Sequence, residues 1–166
     1  MTIPAPLNLH HATAPREWMD YNGHMMDGYY LVAFAFATEA LLQYLGFGEA
    51  YRAQTGCTIY TVEAHINFLR EVKEGDPLTY HTLLLGADAK RLHVFHTMQH
   101  AREGAVVATT EQMWLHVNQR TQRVEPMPLE HRQRVQAVVA AHAALPRPAQ
   151  AGRRIAMPGV QRMIDD

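Results

Sequence analysis

A single cysteine, Cys57, occurs in 166 residues, so no disulfide framework is available and a reducing compartment is the expected setting. Long apolar runs are also missing. The longest, Tyr29 to Ala37, falls far short of the ~20 residues needed to cross a bilayer as a helix. There is no surplus of positive charge either: 15 Lys and Arg face 16 Asp and Glu, for a formal charge of -1. Phosphate backbones are bound by excess cations, which argues against a nucleic-acid partner. The N-terminal "MTIPAPLNLHHATAPREW" lacks the basic-then-apolar order of a signal peptide. These absences predict a cytoplasmic protein with neither a membrane nor a nucleic-acid partner. A chain of this length makes about one domain and buries roughly 70% of its unfolded surface.

What is present has an ordinary globular balance, 48% apolar and 19% charged. Residues 8–18 read as a first strand. Residues 28–45 are rich in Ala and Leu, contain no Pro and close on Gly46. Eighteen residues is too long for a strand in a small domain, so this is a helix with Gly46 as C-cap and Asp27 as N-cap. A helix apolar on nearly all sides is expected to be surrounded by protein. In "TIYTVEAHINFLR", Tyr60, Val62, Ala64, Ile66 and Phe68 alternate with Thr61, Glu63, His65 and Asn67, the period of a half-buried strand. Turns at "KEGDP", "GADAKR", "REG" and "NQRTQR" delimit strands over 78–85, 92–101 and 105–118, and a short helix follows over about 130–144. The tail, residues 145–166, is rich in Pro and basic residues without periodicity, and is expected to be loosely ordered or draped over a partner. The chain therefore reads as an α+β domain over residues 1–144, a curved antiparallel sheet wrapped around one long central helix, followed by that tail.

Polar groups concentrate at the mouth of the helix: Asp20, Asn22, Gly23, His24 and Asp27. Taken locally they make a turn and a cap; they equally suit a site where a carboxylate works beside the positive end of a helix dipole. His93, His96 and His100 have a zinc-like spacing on a helix, but in a strand His93 points away from the other two, so no metal is expected. Glu63, His65 and Asn67 read as a solvated or subunit-contact face. Glu39, inside an apolar helix, either meets an Arg or looks into a channel. Arg70, Lys73, Lys90 and Arg91 lie at strand ends and turns, where cations either receive phosphates or remain ordinary surface charge.

"DYNGHMM" leading into a helix resembles the D-x-x-G-H-V/M-N opening of the hot-dog-fold acyl-CoA thioesterases of the 4-hydroxybenzoyl-CoA thioesterase type. "FLREVKEGDPL" is similar to that family's strand and Gly-Asp turn, and "MWLHVNQRTQRVEPMP" to its last strand and Pro-rich exit; the likeness covers about residues 8–135. Met26 and Asp27 depart from it, standing where many members have two Asn. The resemblance implies a hot-dog fold and hydrolysis of an acyl-CoA without a cofactor. Asp20 would be the working carboxylate, with Gly23, His24 and Asp27 completing the catalytic turn. It also implies a homodimer with the active site between protomers, extended in some cases to a homotetramer, and makes Arg70, Lys73, Lys90 and Arg91 the candidates for the CoA phosphates. "DYNGHMMDGYY" is similar to thioesterases of carnitine breakdown that act on betainyl-CoA. Trp18, Tyr21, Tyr29 and Tyr30, with Asn22 and the anion Glu39, would then form the substrate pocket and hold a quaternary ammonium by cation–π contact; packing is the other role open to these rings. Two other functions compete: a hot-dog hydratase or dehydratase using His24 and Glu39, and non-catalytic acyl-CoA binding.

Overall fold

The computed structural model describes residues 2–157. Strand β1 (Leu7–Thr13) ends before the expected residue 18, because Pro15 has no N–H to extend a ladder; Arg16–Trp18 instead form a 3-10 turn. Helix α1 (Asp27–Leu45) and the short α2 (Glu49–Thr55) follow. Then come β2 (Cys57–Phe68), β3 (Pro77–Ala87), β4 (Arg91–His100), β5 (Val106–Asn118), the two-residue β6 (Arg123–Val124) and helix α3 (Leu129–His142). The sheet is antiparallel throughout in the order β1-β3-β4-β5-β2, with β6 beside β5, leaving β1 and β2 as its edges. A curved sheet around one long helix is the hot-dog arrangement that the sequence led us to expect.

Helix α1 begins at Asp27, not after it. Met26, in an extended conformation without a side-chain cap, precedes it, and the Asp27 carboxylate accepts the N–H of Gly28 at 2.8 Å. Its charge still favours the positive end of the dipole. Gly46 ends the helix at φ 87°, a left-handed conformation that glycine adopts without strain, and turns Phe47 into the core. Tyr30, Ala33, Phe34, Ala37, Leu41, Leu42 and Leu45 form the buried stripe against the sheet. The opposite stripe is bare: Leu31, Val32 and Phe36 are exposed, Phe36 by 51%. The sheet of one chain therefore covers half of this helix and leaves the other half open. Glu39 lies on the bare stripe, exposed and accepting a hydrogen bond from Gln43 Nε2 at 2.8 Å. It is not buried, and it is paired with no Arg among the described residues.

A one-residue bulge at Val62 splits β2. Before it, Cys57 and Ile59 face the core and Tyr60 faces out; after it, Ala64, Ile66 and Phe68 share the inner side, and Glu63, His65 and Asn67 the outer. The simple alternation placed Tyr60 inward, and the bulge reverses that, because one extra residue exchanges the two faces of a strand. On β5 the alternation of buried and half-buried residues holds from Thr110 to Val117, whereas Val107 to Thr110 are buried on both faces. Residues 145–157 contain turns but no helix or strand, and Gly152 donates its N–H to Glu111 Oε2 at 2.6 Å, so this part of the tail returns to its own sheet. Residues 158–166 lie outside the described residues. No single helix among the described residues is long and apolar enough to cross a membrane.

Between the two apolar halves of the core runs a polar row, Thr82, His96 and Thr110, opposite one another on β3, β4 and β5. The His96 ring is fully buried, its Nδ1 2.8 Å from Thr82 Oγ1 and its Nε2 3.3 Å from Thr38 Oγ1 of α1. Burial without a counter-charge pushes its pKa down to about 3. The unfolded chain therefore binds a proton near pH 6.5 that the folded chain refuses, and stability rises with pH between about 3 and 6.5. One such proton is worth about 1.4 kcal/mol per pH unit. We expect urea midpoints to fall on acidification through this window, and His96→Gln to have a slope shallower by close to one proton. Equal slopes in the two proteins would contradict a neutral, buried His96.

Candidate active site

The turn before α1 is built around one carboxylate. Asn22 N–H donates to Asp20 Oδ1 at 2.8 Å, Asn22 Nδ2 to Asp20 Oδ2 at 3.4 Å, and His24 N–H to Asp20 Oδ1 at 3.4 Å. Backbone bonds close the same loop, from Asp20 N–H to His24 O at 2.9 Å and from Gly23 N–H to Asp20 O at 3.0 Å. Gly23 sits at φ 80° with open space where a Cβ would be, so its backbone angle, not crowding, calls for glycine. Desolvation raises the Asp20 pKa, but the donors from Asn22 and His24 outweigh it and hold the group below the usual carboxylate range. Asp20 is thus an ionised, oriented carboxylate at neutral pH.

Two further backbone bonds fasten this turn to the rest of the molecule. Met26 N–H donates to Trp18 O at 3.0 Å, and Met25 N–H to Val72 O at 2.8 Å, which draws the β2–β3 connection under the start of α1. The result is a cleft of about 320 Å3 lined by His24, Met25, Asp27, Tyr30, Phe68, Leu69, Arg70 and Glu71. His24 Nε2 lies 2.9 Å from Glu71 Oε2, and the Tyr30 hydroxyl donates to Arg70 O at 3.2 Å. The Asp27 N–H, first of the helix, has no acceptor among the described residues. Such an amide at the positive end of a dipole suits a developing oxyanion.

Residues 15–155 match the family model described as "Thioesterase-like superfamily". The chain belongs to that superfamily. It is 44% identical over 145 residues to the betainyl-CoA thioesterase of Pseudomonas aeruginosa, covering 87% of this chain and 91% of that protein. It is 39% identical over 150 residues to a Rhizobium meliloti protein named L-carnitine dehydrogenase/betainyl-CoA thioesterase, of which the match spans 30%, and 90% of this chain. Among solved structures it is similar to a putative thioesterase of Pseudomonas putida KT2440, at 35% identity and a TM-score of 0.80, over 94% of this chain and 99% of that one. A hypothetical protein of Staphylococcus aureus, characterised in complex with CoA, matches at 27% identity and a TM-score of 0.86, over 95% and 100% of the two chains.

Of the residues singled out in the sequence, this thioesterase-like fold brings His24, Asp27, Tyr30 and Arg70 into one cleft, with Asp20, Asn22 and Gly23 in the adjoining turn. The aromatic set does not assemble. Trp18 and Tyr29 stack at 6.1 Å and Trp18 and Phe36 at 6.5 Å, whereas buried Tyr30 meets Phe68 edge-on at 5.1 Å. Tyr21 is 98% exposed. Nor do the four cations form one group. Lys73 lies near Arg70 in the β2–β3 connection, but Lys90 and Arg91 follow the far end of β3, eleven residues or about 35 Å along the strand. Arg91 is already paired with Asp88, at 2.6 Å. His93 and His96 do fall on opposite faces of β4, as the strand reading required: His93 Nε2 lies 2.6 Å from Glu111 Oε1, with Glu63 and His65 lining the same outer hollow, while His96 faces the core.

Met25, Phe68, Leu69 and Glu71 belong to the cleft without having been singled out for it. Glu71 had a signal, since it stands inside "FLREVKEGDPL" beside Arg70. Its nearness to His24 depends on the Met25–Val72 bond, and no local pattern reveals that bond.

Proposed function

We propose that this protein hydrolyses betainyl-CoA to glycine betaine and CoA, a step of carnitine catabolism, within the acyl-CoA thioesterase activity that family and fold support. The observation that carries the substrate is the 44% identity to the Pseudomonas aeruginosa betainyl-CoA thioesterase across 91% of its length. The cleft supports the reading: at about 320 Å3 it has room for a small acyl group, and it adjoins a carboxylate and a helix start. In this scheme the thioester carbonyl lies between Asp20 and the first N–H groups of α1. Asp20 attacks the carbonyl or deprotonates the water that does so, and the Asp27 N–H, the one of these amides without an acceptor among the described residues, receives the negative charge that builds on oxygen. CoA leaves as the thiol and water ends in the carboxylic acid. Gly23 permits the tight turn, and His24 joins the turn to the cleft through its backbone and its ring. Arg70 and Lys73, at the cleft end of the sheet, are the better-placed cations for CoA phosphates.

A hydratase working through His24 and Glu39 is disfavoured, because His24 pairs with Glu71 while Glu39 bonds Gln43 on the bare side of the helix. Free thiol released from a panel of acyl-CoAs tests the proposal. Betainyl-CoA is expected to give the highest kcat/KM; a clear preference for an aromatic or medium-chain ester would replace the substrate and keep the reaction.

A further inference from the structure

The cleft beside Asp20 is lined by two further carboxylates, Asp27 and Glu71. Besides the Tyr30 phenol, four of its lining side chains are ionisable: His24, Asp27, Arg70 and Glu71. Arg70 contributes little positive field inside, since its exposed guanidinium reaches towards Glu103 at 4.0 Å and its backbone carbonyl is what meets Tyr30. Asp27 spends Oδ1 on Gly28 N–H. Glu71 holds the His24 ring with Oε2, and its Oε1 has no hydrogen bond among the described residues. Two carboxylates thus stand beside the edge-on rings of Tyr30 and Phe68, with Met25 as an apolar wall.

A neutral acyl group gains nothing from Glu71, and an anionic one is repelled by it. A cationic group is attracted by both carboxylates and by the ring faces. Position also limits the choice. In a betainyl thioester the nitrogen is two bonds from the carbonyl carbon, about 2.5 Å by ordinary bond lengths. Its binding groups must therefore adjoin the reacting centre. His24 makes that connection: its N–H donates to Asp20 Oδ1 at 3.4 Å while its ring lies 2.9 Å from Glu71.

We infer that Glu71, seconded by Asp27, is the counter-charge for a quaternary ammonium on the acyl group, and so a residue that selects the cationic substrate. The inference rests on the betainyl-CoA reading and adds to it a residue that the catalytic turn does not contain. Without substrate, Glu71 is occupied by His24; with substrate, its free oxygen faces the ammonium.

The test compares betainyl-CoA with its uncharged carbon isostere, 3,3-dimethylbutanoyl-CoA, on the wild type, Glu71→Gln and Glu71→Asp. The readout is the ratio of kcat/KM for the two esters on the same enzyme, with thermal melts to confirm folding. The wild-type preference for the cation is expected to fall about three- to fivefold in Glu71→Gln, the weight of a largely solvated cation site. The loss should appear in KM for betainyl-CoA, and Glu71→Asp should recover part of it. An equal loss on both esters in a folded Glu71→Gln protein would show that Glu71 only braces His24, and would overturn the inference. Retention of the full preference in Glu71→Gln would overturn it too, leaving betainyl-CoA as substrate. A wild type that hydrolyses the isostere but not betainyl-CoA would overturn both readings.

Discussion

Asp20→Asn is expected to fold like the wild type and to lose about 10²- to 10⁴-fold in turnover, the usual weight of a positioned acid–base or nucleophilic carboxylate. The substitution is nearly isosteric. Its amide oxygen can still accept the N–H groups of Asn22 and His24 that hold Oδ1 at 2.8 and 3.4 Å, so the turn has reason to survive. The weak 3.4 Å bond from Asn22 Nδ2 is lost, since an amide nitrogen now faces a donor. What goes is the negative charge and the lone pairs that attack carbon or take a proton from water. The donors keep the Asp20 pKa below the usual carboxylate range, so no loss of activity from Asp20 protonation is expected until well below neutral pH. Thiol release, measured beside a circular-dichroism melt, is the check. Wild-type turnover in a folded Asp20→Asn protein would remove this residue from the mechanism.

The second large effect concerns assembly. We propose an obligate homodimer, with pairing into a tetramer as a further step, and expect it to sediment at twice the mass of one chain at micromolar concentration. β2 is an edge of the sheet, and an uncovered edge with apolar residues invites pairing. Val62 and Phe68 are each 53% exposed there, and the bare stripe of α1 adds Leu31, Val32 and Phe36 on the side that the sheet leaves open. Self-complementary use of one such patch closes at two copies. The cleft includes Phe68 and Leu69, so it lies at the same edge and would be completed by the neighbouring chain. Val62→Lys puts a charge on the exposed edge strand that the proposed dimer would bury, and is expected to give monomers and to lose most activity together with dimerisation. A folded, fully active monomer would contradict both the dimer and the shared site.

The polar turn before α1 was legible because its hydrogen bonds are local. Asp20, Asn22, Gly23 and His24 interact across two to four residues, and a glycine at φ 80° between polar groups is a short-range demand. The helix and strands were legible for a similar reason: period and turn residues act over ten to twenty positions. Faces were less so. The bulge at Val62 reversed Tyr60 without any Gly or Pro to announce it, and the expected cap at Asp27 moved by one residue to Met26.

By itself, then, the sequence determined the long helix, the strands β1 to β5, the closing helix and the polar turn at the long helix's start, because each follows from periodicity, capping and turn chemistry within a short stretch; α2, β6 and the pairing of β2 with β5 rather than β3 were not legible in it. Tertiary structure decided which stripe of α1 is covered, that Glu39 lies on the bare one, that Lys90 and Arg91 stand at the far end of the sheet, and that Glu71 joins His24 beside the cleft. These depend on strand order and on contacts such as Met25 with Val72, between segments far apart in the chain. A residue type carries no mark of which distant segment will reach it; only the packed chain sets that.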